Sequence, residues 1–340
     1  MEPLGIAIIG CGMISKIHLA ALQQIPEARI CGVWSRKPET TKRCAGEYGI
    51  RAYESFQAVC DDPEVKIIIL CTPPGFHVDH GLQAAAAGKH LIIEKPLDVD
   101  LDKGQKLVET YREKGLKLAV IYQNRYTKAA RQVKAAIDQG LLGKLILGDA
   151  YVKWYRSPEY YTSADWRGTW EVEGGGSLIT QAIHSIDLLQ WFMGKVKSIS
   201  GTIRISAHQI QTEDLGVAVL EFDNGALGVI ESSTAIVPGF KERLEIHGQK
   251  GSIILEGGNI KEWKVEGCDE ADYVQTEKIS YGKTNSPAIS FVNHQAQLQE
   301  IISSIINGKE PEVNGEEGLK SLEIVLGVYQ SSQKGQKVYL

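Results

Sequence analysis

The chain has 340 residues, 43% of them hydrophobic, which is more than one core usually serves and predicts two domains. Its net charge of −5, with no lysine and arginine cluster interleaved with aromatics, argues against nucleic acid as a partner. No stretch approaches the roughly 20 apolar residues of a spanning helix, so no membrane partner is expected either.

The opening MEPLGIAIIGCG has no basic residue ahead of a short apolar run broken by glycine. No signal peptide is expected there, and the protein is expected to be cytoplasmic. The first third alternates short β-branched runs with longer amphipathic ones. Strands are predicted at Gly5 to Ile9, Ile30 to Trp34, Lys66 to Cys71, His90 to Ile93 and Leu116 to Tyr122. Helices are predicted at Ile14 to Gln24, Pro38 to Tyr48, Gly75 to Ala87 and Leu101 to Lys114. This alternation implies a parallel sheet covered on both faces, an α/β Rossmann domain over residues 1–123.

After about residue 124 the pattern changes. A helix at Lys128 to Gln139 leads into β-rich runs at Ile146 to Tyr155, Val196 to Ile205, Gly216 to Phe222, Ala226 to Ser233, Arg243 to His247 and Ser252 to Leu255. Turn signals such as DNGA at Asp223 and GQKGS at Gly248 suit hairpins in a large, mostly antiparallel sheet. A helix over Ser177 to Phe192 interrupts them, and helices at Ser286 to Ile306 and Gly318 to Ser331 close the chain. The second domain is therefore placed at 124–340. Its strands LGVAVLEF and ALGVIESS are apolar at many positions, which predicts a sheet face that meets another subunit in a homodimer or homotetramer.

The stretch GCGMIS supplies two glycines between a predicted strand and a predicted helix. Gly10 serves the tight turn and Gly12 the close approach of backbone to a pyrophosphate on the helix N-terminus, with Met13 and Ile14 following as cofactor-binding positions. Ser15 stands where a third glycine is usual, a position that governs helix packing more than phosphate binding. At the end of the second strand an acid would select NAD by bonding the ribose 2′-hydroxyl. Here Ser35, Arg36 and Lys37 offer a hydroxyl and two cations, which favours NADP while still tolerating NAD.

CTPPGFH from Cys71 and EKP from Glu94 each follow a predicted strand of the parallel sheet, where ligands of open α/β sheets bind. GGGSLITQAIHSIDLLQWFMG starts at Gly174 in the second domain. Together these motifs resemble the glucose-fructose oxidoreductase and inositol dehydrogenase (Gfo/Idh/MocA) family, in order and spacing, over nearly the whole chain. The resemblance implies a Rossmann domain followed by an α/β domain with an open antiparallel sheet. It also implies hydride transfer between nicotinamide and a sugar, sugar derivative or cyclitol. It places Cys71, Thr72, Pro73, His77, Glu94 and Lys95 along the cofactor and makes Lys95 and His184 the catalytic pair.

Oxidising a secondary alcohol releases a hydride and a proton, and the base that takes the proton should titrate near working pH. Histidine does so without tuning, whereas lysine needs its pKa lowered by burial or a nearby positive charge. His184 is accordingly expected to accept the proton and Lys95 to hold the hydroxyl, with the reverse assignment open. Many members carry an acid one turn before this histidine, and Thr180 stands there instead, which predicts altered substrate contacts.

The resemblance further puts Asn124 near nicotinamide and substrate. Trp166 and Arg167 match a pair that reaches the cofactor, unless Arg167 holds an anionic substrate group. Tyr155, Tyr160 and Tyr161 offer rings suited to a pyranose face, against the alternative of ordinary packing. Asp187 is expected to orient its helix or cap a neighbour.

No metal site is expected, since His77 with His80 and His184 with Asp187 lack a third ligand at close spacing. The six cysteines form no Cys-x-x-Cys pair, and Cys31, Cys60 and Cys71 in or beside apolar runs are expected as buried hydrophobes. Two other functions share these residues. One is an enzyme with tightly bound NAD(P) that oxidises a sugar transiently for net glycoside cleavage, elimination or epimerisation. The other is a non-catalytic NAD(P)-binding sensor.

Overall fold

The computed structural model describes residues 2–273 and 290–340. The chain divides into two compact units, Met1–Gln123 with Ile289–Leu319, and Asn124–Ala288 with Lys320–Leu340. The return of the later segment to the first unit was not part of the sequence expectation.

The first unit is built on a six-stranded parallel sheet of β1 (Leu4–Ile9), β2 (Ala28–Trp34), β3 (Arg51–Ala52), β4 (Val65–Leu70), β5 (His90–Ile93) and β6 (Leu118–Val120). Its order, β3-β2-β1-β4-β5-β6, is that of a doubly wound dinucleotide-binding sheet, with the strand order reversing between β1 and β4. Five consecutive residues of β1, Gly5 to Ile9, are buried, as a strand covered on both faces requires. The connecting helices are α1 (Met13–Leu22), α2 (Pro38–Tyr48), α3 (Phe56–Asp61), α4 (His77–Ala86) and α5 (Leu101–Glu113).

In the second unit lie α6 (Lys128–Asp138), α7 (Pro158–Thr162) and α8 (Ile183–Met193). The returning helix of the first unit is α9 (Val292–Ile306), whose Leu298, Ile301 and Ile302 join Leu19 and Leu22 of α1 in one apolar cluster. The amide of Gln297 donates to the carbonyl of Val120 at 2.8 Å, satisfying the end of the edge strand β6. Residues 286–289 of the expected closing helix lie outside the described residues. A last helix, α10 (Gly315–Lys334), is divided between the units after Leu319.

The second unit holds an eight-stranded sheet in the order β13-β12-β11-β7-β10-β9-β8-β14. Its strands are β7 (Leu145–Lys153), β8 (Val196–Arg204), β9 (Leu215–Phe222), β10 (Leu227–Ser233), β11 (Arg243–Gly248), β12 (Gly251–Glu256), β13 (Asn259–Val265) and β14 (Val338–Tyr339). Only β7 and β10 pair in parallel, so the sheet is mostly antiparallel as expected. Along β9 burial alternates, and Val217 and Val219 remain 43% and 50% exposed, an apolar row on the outer face.

Three expectations need correction. The helix over Ser177 to Phe192 opens as a π turn, Ser177–Ala182, before becoming α8. The reason is a buried carboxylate at its start, described below. The strands β3, β13 and β14 and the helices α3 and α7 were not anticipated. Cys31 and Cys60 are buried, but Cys71 is only half-buried, because it lies past the end of β4 at the head of a loop. No helix among the described residues is long and apolar enough to cross a membrane.

Candidate active site

In the first unit, the turn from β1 to α1 is shaped by glycine. Gly10 has φ 96°, and a Cβ there would stand 2.5 Å from the Cys71 carbonyl oxygen, so no other residue fits. In front of Gly12 a Cβ would meet nothing within 4 Å. Gly12 is also the N-cap of α1, without a capping side chain and with no acid in the first turn. The first N–H groups of the helix are thereby left for an external anion, which fits a dinucleotide pyrophosphate. Met13 is exposed and Ile14 half-buried at this edge. Ser15 is fully buried and donates to the Gly12 carbonyl at 2.7 Å, so its hydroxyl is satisfied inside the turn.

At the end of β2, the Ser35 N–H donates to Thr41 Oγ1 at 2.9 Å and Thr41 returns a bond to the Ser35 carbonyl at 3.1 Å. This exchange pins the corner that presents Arg36 and Lys37. Both are exposed, and neither joins an ion pair among the described residues.

Two loops beyond β4 and β5 are tied together by His77. Its ring is buried, with Nδ1 2.9 Å from the Pro96 carbonyl and Nε2 2.9 Å from the Thr72 carbonyl. Burial lowers its pKa, so the neutral ring donates to one carbonyl at a time. Thr72 and Pro73 are thereby held beside the Lys95–Pro96 segment, where Lys95 is half-buried at the carboxyl end of β5.

Behind Lys95 lies a buried group that the sequence reading missed. The ring of His18, on α1, donates from Nε2 to Glu94 Oε1 at 2.7 Å, and Glu94 Oε2 accepts from the Lys95 N–H at 3.3 Å. Burial would raise the Glu94 carboxyl, but the His18 bond and charge hold it down to about 2. His294, from α9, meets the His18 ring edge-on at 5.5 Å. Burial, followed by the charge of His18, lowers it to about 4, and neither of its ring nitrogens has a partner among the described residues. Donor atoms of the three lie within 4.8 Å of one another. Ligands sharing a tetrahedral zinc stand roughly 3.3 Å apart, however. The closer His18–Glu94 contact is a charge-assisted hydrogen bond.

In the second unit the triple glycine acquires a cause. Gly175 has φ 155°, and a Cβ on it would fall 2.1 Å from the Tyr329 hydroxyl; one on Gly176 would fall 1.7 Å from the Glu213 carbonyl oxygen. Glu213 is buried and accepts from the N–H groups of Gly176 and Leu178, both at 2.8 Å, and from the Tyr329 hydroxyl at 3.0 Å. Burial raises its pKa to about 7 against these bonds. The carboxylate thus takes over the first donors of the helix, which winds as the π turn carrying Thr180. The Thr180 hydroxyl bonds back to the Gly176 carbonyl at 2.7 Å. His184 follows, half-buried, in the first turn of α8. A single π turn of this kind is frequent at functional sites.

Asp187, three residues further, forms a bidentate pair with Arg125, from Nε at 2.8 Å and Nη2 at 2.7 Å, with both side chains 1% exposed. It orients α8 against the segment that begins with Asn124. Asn124 and Ser185, the neighbour of His184, line the same small cavity.

Tyr155, Trp166 and Arg167 are half-buried in the same unit. Arg167 lies 4.0 Å from the Tyr160 ring centroid and 5.2 Å from that of Trp166. The Tyr161 hydroxyl is hydrogen-bonded to Thr234 Oγ1 at 2.7 Å.

The family model described as "Oxidoreductase family, NAD-binding Rossmann fold" matches residues 4–122, and that of the GFO/IDH/MocA C-terminal domain matches 130–254. The WlbA dehydrogenase of Bordetella pertussis, solved with NADH and UDP-GlcNAcA, is 31% identical with a TM-score of 0.90, covering 100% of this chain and 99% of that one. This chain belongs to the Gfo/Idh/MocA family.

Two curated relatives are similar over their full length. Myo-inositol 2-dehydrogenase of Thermotoga maritima is 25% identical, with 98% of each chain covered. The NADP(+)-dependent scyllo-inositol 2-dehydrogenase IolW of Bacillus subtilis is 26% identical over 100% of this chain and 97% of its own. Within this Gfo/Idh/MocA oxidoreductase, the motifs that carried the resemblance occupy the loop after β1, the ends of β4 and β5, and the helix of His184. The groups that hold them, His18, His294, Glu213 and Tyr329, had no local signal in the sequence.

Proposed function

We propose that this protein is an NAD(P)-dependent dehydrogenase or reductase acting on a secondary alcohol or ketone of a sugar, sugar derivative or cyclitol. The observation that carries the reading is the conjunction, in one Gfo/Idh/MocA chain, of an uncapped helix N-terminus behind Gly10 and Gly12 with both proton-handling residues, Lys95 and His184. Residues 1–123 form the cofactor domain, and 124–340 form the substrate and oligomerisation domain apart from the segment that returns to the first unit.

When bound, the nicotinamide accepts or supplies the hydride. Lys95 donates hydrogen bonds to the reacting oxygen and polarises the carbonyl as it forms. His184 takes the hydroxyl proton in oxidation and returns it in reduction. Thr180, in place of an acid, offers a neutral hydroxyl to the substrate, and Asn124 and Tyr155 complete the polar contacts. Along the cofactor lie Cys71, Thr72, Pro73, His77 and Glu94, with Trp166 of the second domain, while Arg167 takes the alternative role of holding an anionic substrate group. Met13 and Ile14 follow the phosphate loop. Ser35, Arg36 and Lys37 favour the 2′-phosphate of NADP, because Arg36 and Lys37 have no ion-pair partner among the described residues and no acid ends β2. Relatives of both preferences support a site that tolerates NAD: one was solved with NADH and another is named for NADP(+).

A screen of sugars, uronates, inositols and nucleotide sugars with NAD and NADP, read by nicotinamide absorbance, tests this. Lys95→Ala is expected to lose roughly 10²- to 10⁴-fold in turnover while nucleotide binding persists. Full activity in that variant refutes the assignment. The exposed row of Val217 and Val219 is read as part of a subunit interface, and a sedimentation profile giving only the 37.4 kDa chain refutes that.

A further inference from the structure

We infer that Arg156 and Arg167, which both stack over the Tyr160 ring, form an anion subsite that holds an acidic group of the sugar substrate, a carboxylate or a phosphate. The inference rests on the proposed function and names the substrate class. Arg156 follows β7, with its guanidinium carbon 5.4 Å from the Tyr160 centroid and 5.1 Å from that of Trp154. Arg167 lies closer to the same Tyr160 ring, at 4.0 Å. Each cation rests on an aromatic ring; Arg156 also donates from Nη1 to the Tyr155 carbonyl at 3.2 Å, and its remaining donors together with those of Arg167 are left for a planar or tetrahedral anion.

Neither arginine forms an ion pair with a carboxylate among the described residues. Two buried acids of this unit, Asp214 and Glu213, are committed elsewhere. Asp214 accepts from the N–H groups of Ser206, Ala207 and His208 and pairs with the His208 ring at 3.0 Å. Glu213 serves the glycine turn. Arg167 Nε is buried and has no hydrogen-bond partner among the described residues. Two like charges drawn towards one ring in a half-buried place, one with a donor unmatched, are stabilised by an anion shared between them. Burial lowers the pKa of Arg156, opposed by Tyr160 and reinforced by the charge of Arg167.

The subsite is fastened to the reaction helix. Arg156 Nη2 donates to Gln181 Oε1 at 2.7 Å, and Gln181 Nε2 donates to the Tyr160 hydroxyl at 3.0 Å. Gln181 precedes His184 by three residues, within one helical turn, a separation on the scale of a pyranose ring. The Arg156 backbone is held as well, because its carbonyl meets His208 Nε2 at 2.8 Å. An acidic sugar anchored here presents a ring hydroxyl towards the His184 side of the helix, so the arginines set which sugars are accepted.

The test is calorimetric binding to the enzyme loaded with reduced nicotinamide. Glucuronate is compared with glucose, glucose 6-phosphate with glucose, and UDP-glucuronate with UDP-glucose. At least one acidic probe is expected to bind about ten- to a hundredfold tighter than its neutral partner. The ratio is expected to fall towards one in Arg167→Gln and in Arg156→Gln, with partial recovery in Arg167→Lys. Preference for glucuronate identifies a carboxylate, and preference for glucose 6-phosphate a phosphate. A ratio near one for every pair, no binding of any acidic probe, or an unchanged ratio in both glutamine variants overturns the inference. Turnover of neutral sugars with a ratio near one overturns it alone and leaves the proposed function standing. Selective anion binding without nicotinamide turnover does the reverse.

Discussion

Glu94→Gln removes the buried charge behind Lys95 while keeping the shape of the side chain. In the folded protein the carboxyl sits at about 2, against an ordinary value of 4.5. The folded state therefore binds this proton less tightly than the unfolded chain. The resulting stability is fully present above about pH 4.5 and is lost as pH falls through about 2. The difference between those two values corresponds to about 3 kcal/mol at pH 5 to 7 and roughly half of that at pH 3.

Urea unfolding of wild type and Glu94→Gln at pH 3, 5 and 7 measures this. The variant is expected to lose about 3 kcal/mol at the two higher pH values and roughly half of that at pH 3. His294, lowered to about 4, weakens both proteins as pH falls below its ordinary 6.5, and subtracting one protein from the other removes most of that shared slope. A glutamine amide still accepts from His18, but its NH₂ end cannot accept from the Lys95 N–H, so the loop carrying Lys95 loosens as well. A difference under about 1 kcal/mol at pH 7, or an equal difference at pH 3 and pH 7, would refute the claim that His18 holds a charged Glu94.

Asp187→Ala removes the bidentate carboxylate partner of the buried Arg125, and a loss of about 3–5 kcal/mol is expected in thermal unfolding, a loss below about 1 kcal/mol arguing that the pair is dispensable. Glu213, raised to about 7 by burial, is held protonated by the folded state, so stability falls as pH rises from about 4.5 to 7. Glu213→Gln should flatten that fall, with Glu242, also raised to about 7 by burial, keeping the remainder; an unchanged slope in the variant denies Glu213 its part. The double change Arg36→Ala with Lys37→Ala should lower NADP affinity relative to NAD by about tenfold or more in a fluorescence titration, and an unaltered ratio places the 2′-phosphate elsewhere.

What the sequence disclosed follows from the distance over which each cause acts. Helix α2 was legible to the residue because both its ends are local: Pro38 starts it, and Gly49, with φ 64°, ends it. Five strands of the parallel sheet were legible because each is a short apolar run between turn residues, whereas β3 is only the exposed Arg51–Ala52. By contrast β13, NIKEWKV, carries three charges and buries only Ile260, Trp263 and Val265, too irregular a spacing to announce a strand. The π turn was invisible because six residues do not separate one helical period from another. Its cause, Glu213, lies beyond α8 and β8 in the chain.

The candidate site divides in the same way. Lys95, His184, Gly10 and Gly12 stood out as residue types in a pattern, since chemistry limits what can replace them. The residues that aim them are ordinary in composition and distant in sequence. His18 and His294 come from opposite ends of the chain to meet at Glu94, and Tyr329 closes on Gly175 from α10. Ser15 shows the limit from the other side. Its departure from the glycine pattern looked like a packing change, and the structure adds a bond to the Gly12 carbonyl that stiffens the turn itself. A substitution that looks neutral by type is therefore tied into the turn through a partner only three residues away, whereas the Thr180 departure acts where a substrate is proposed to lie. Removing the Ser15 hydroxyl perturbs the loop's geometry; changing Thr180 tests the substrate contact proposed for it.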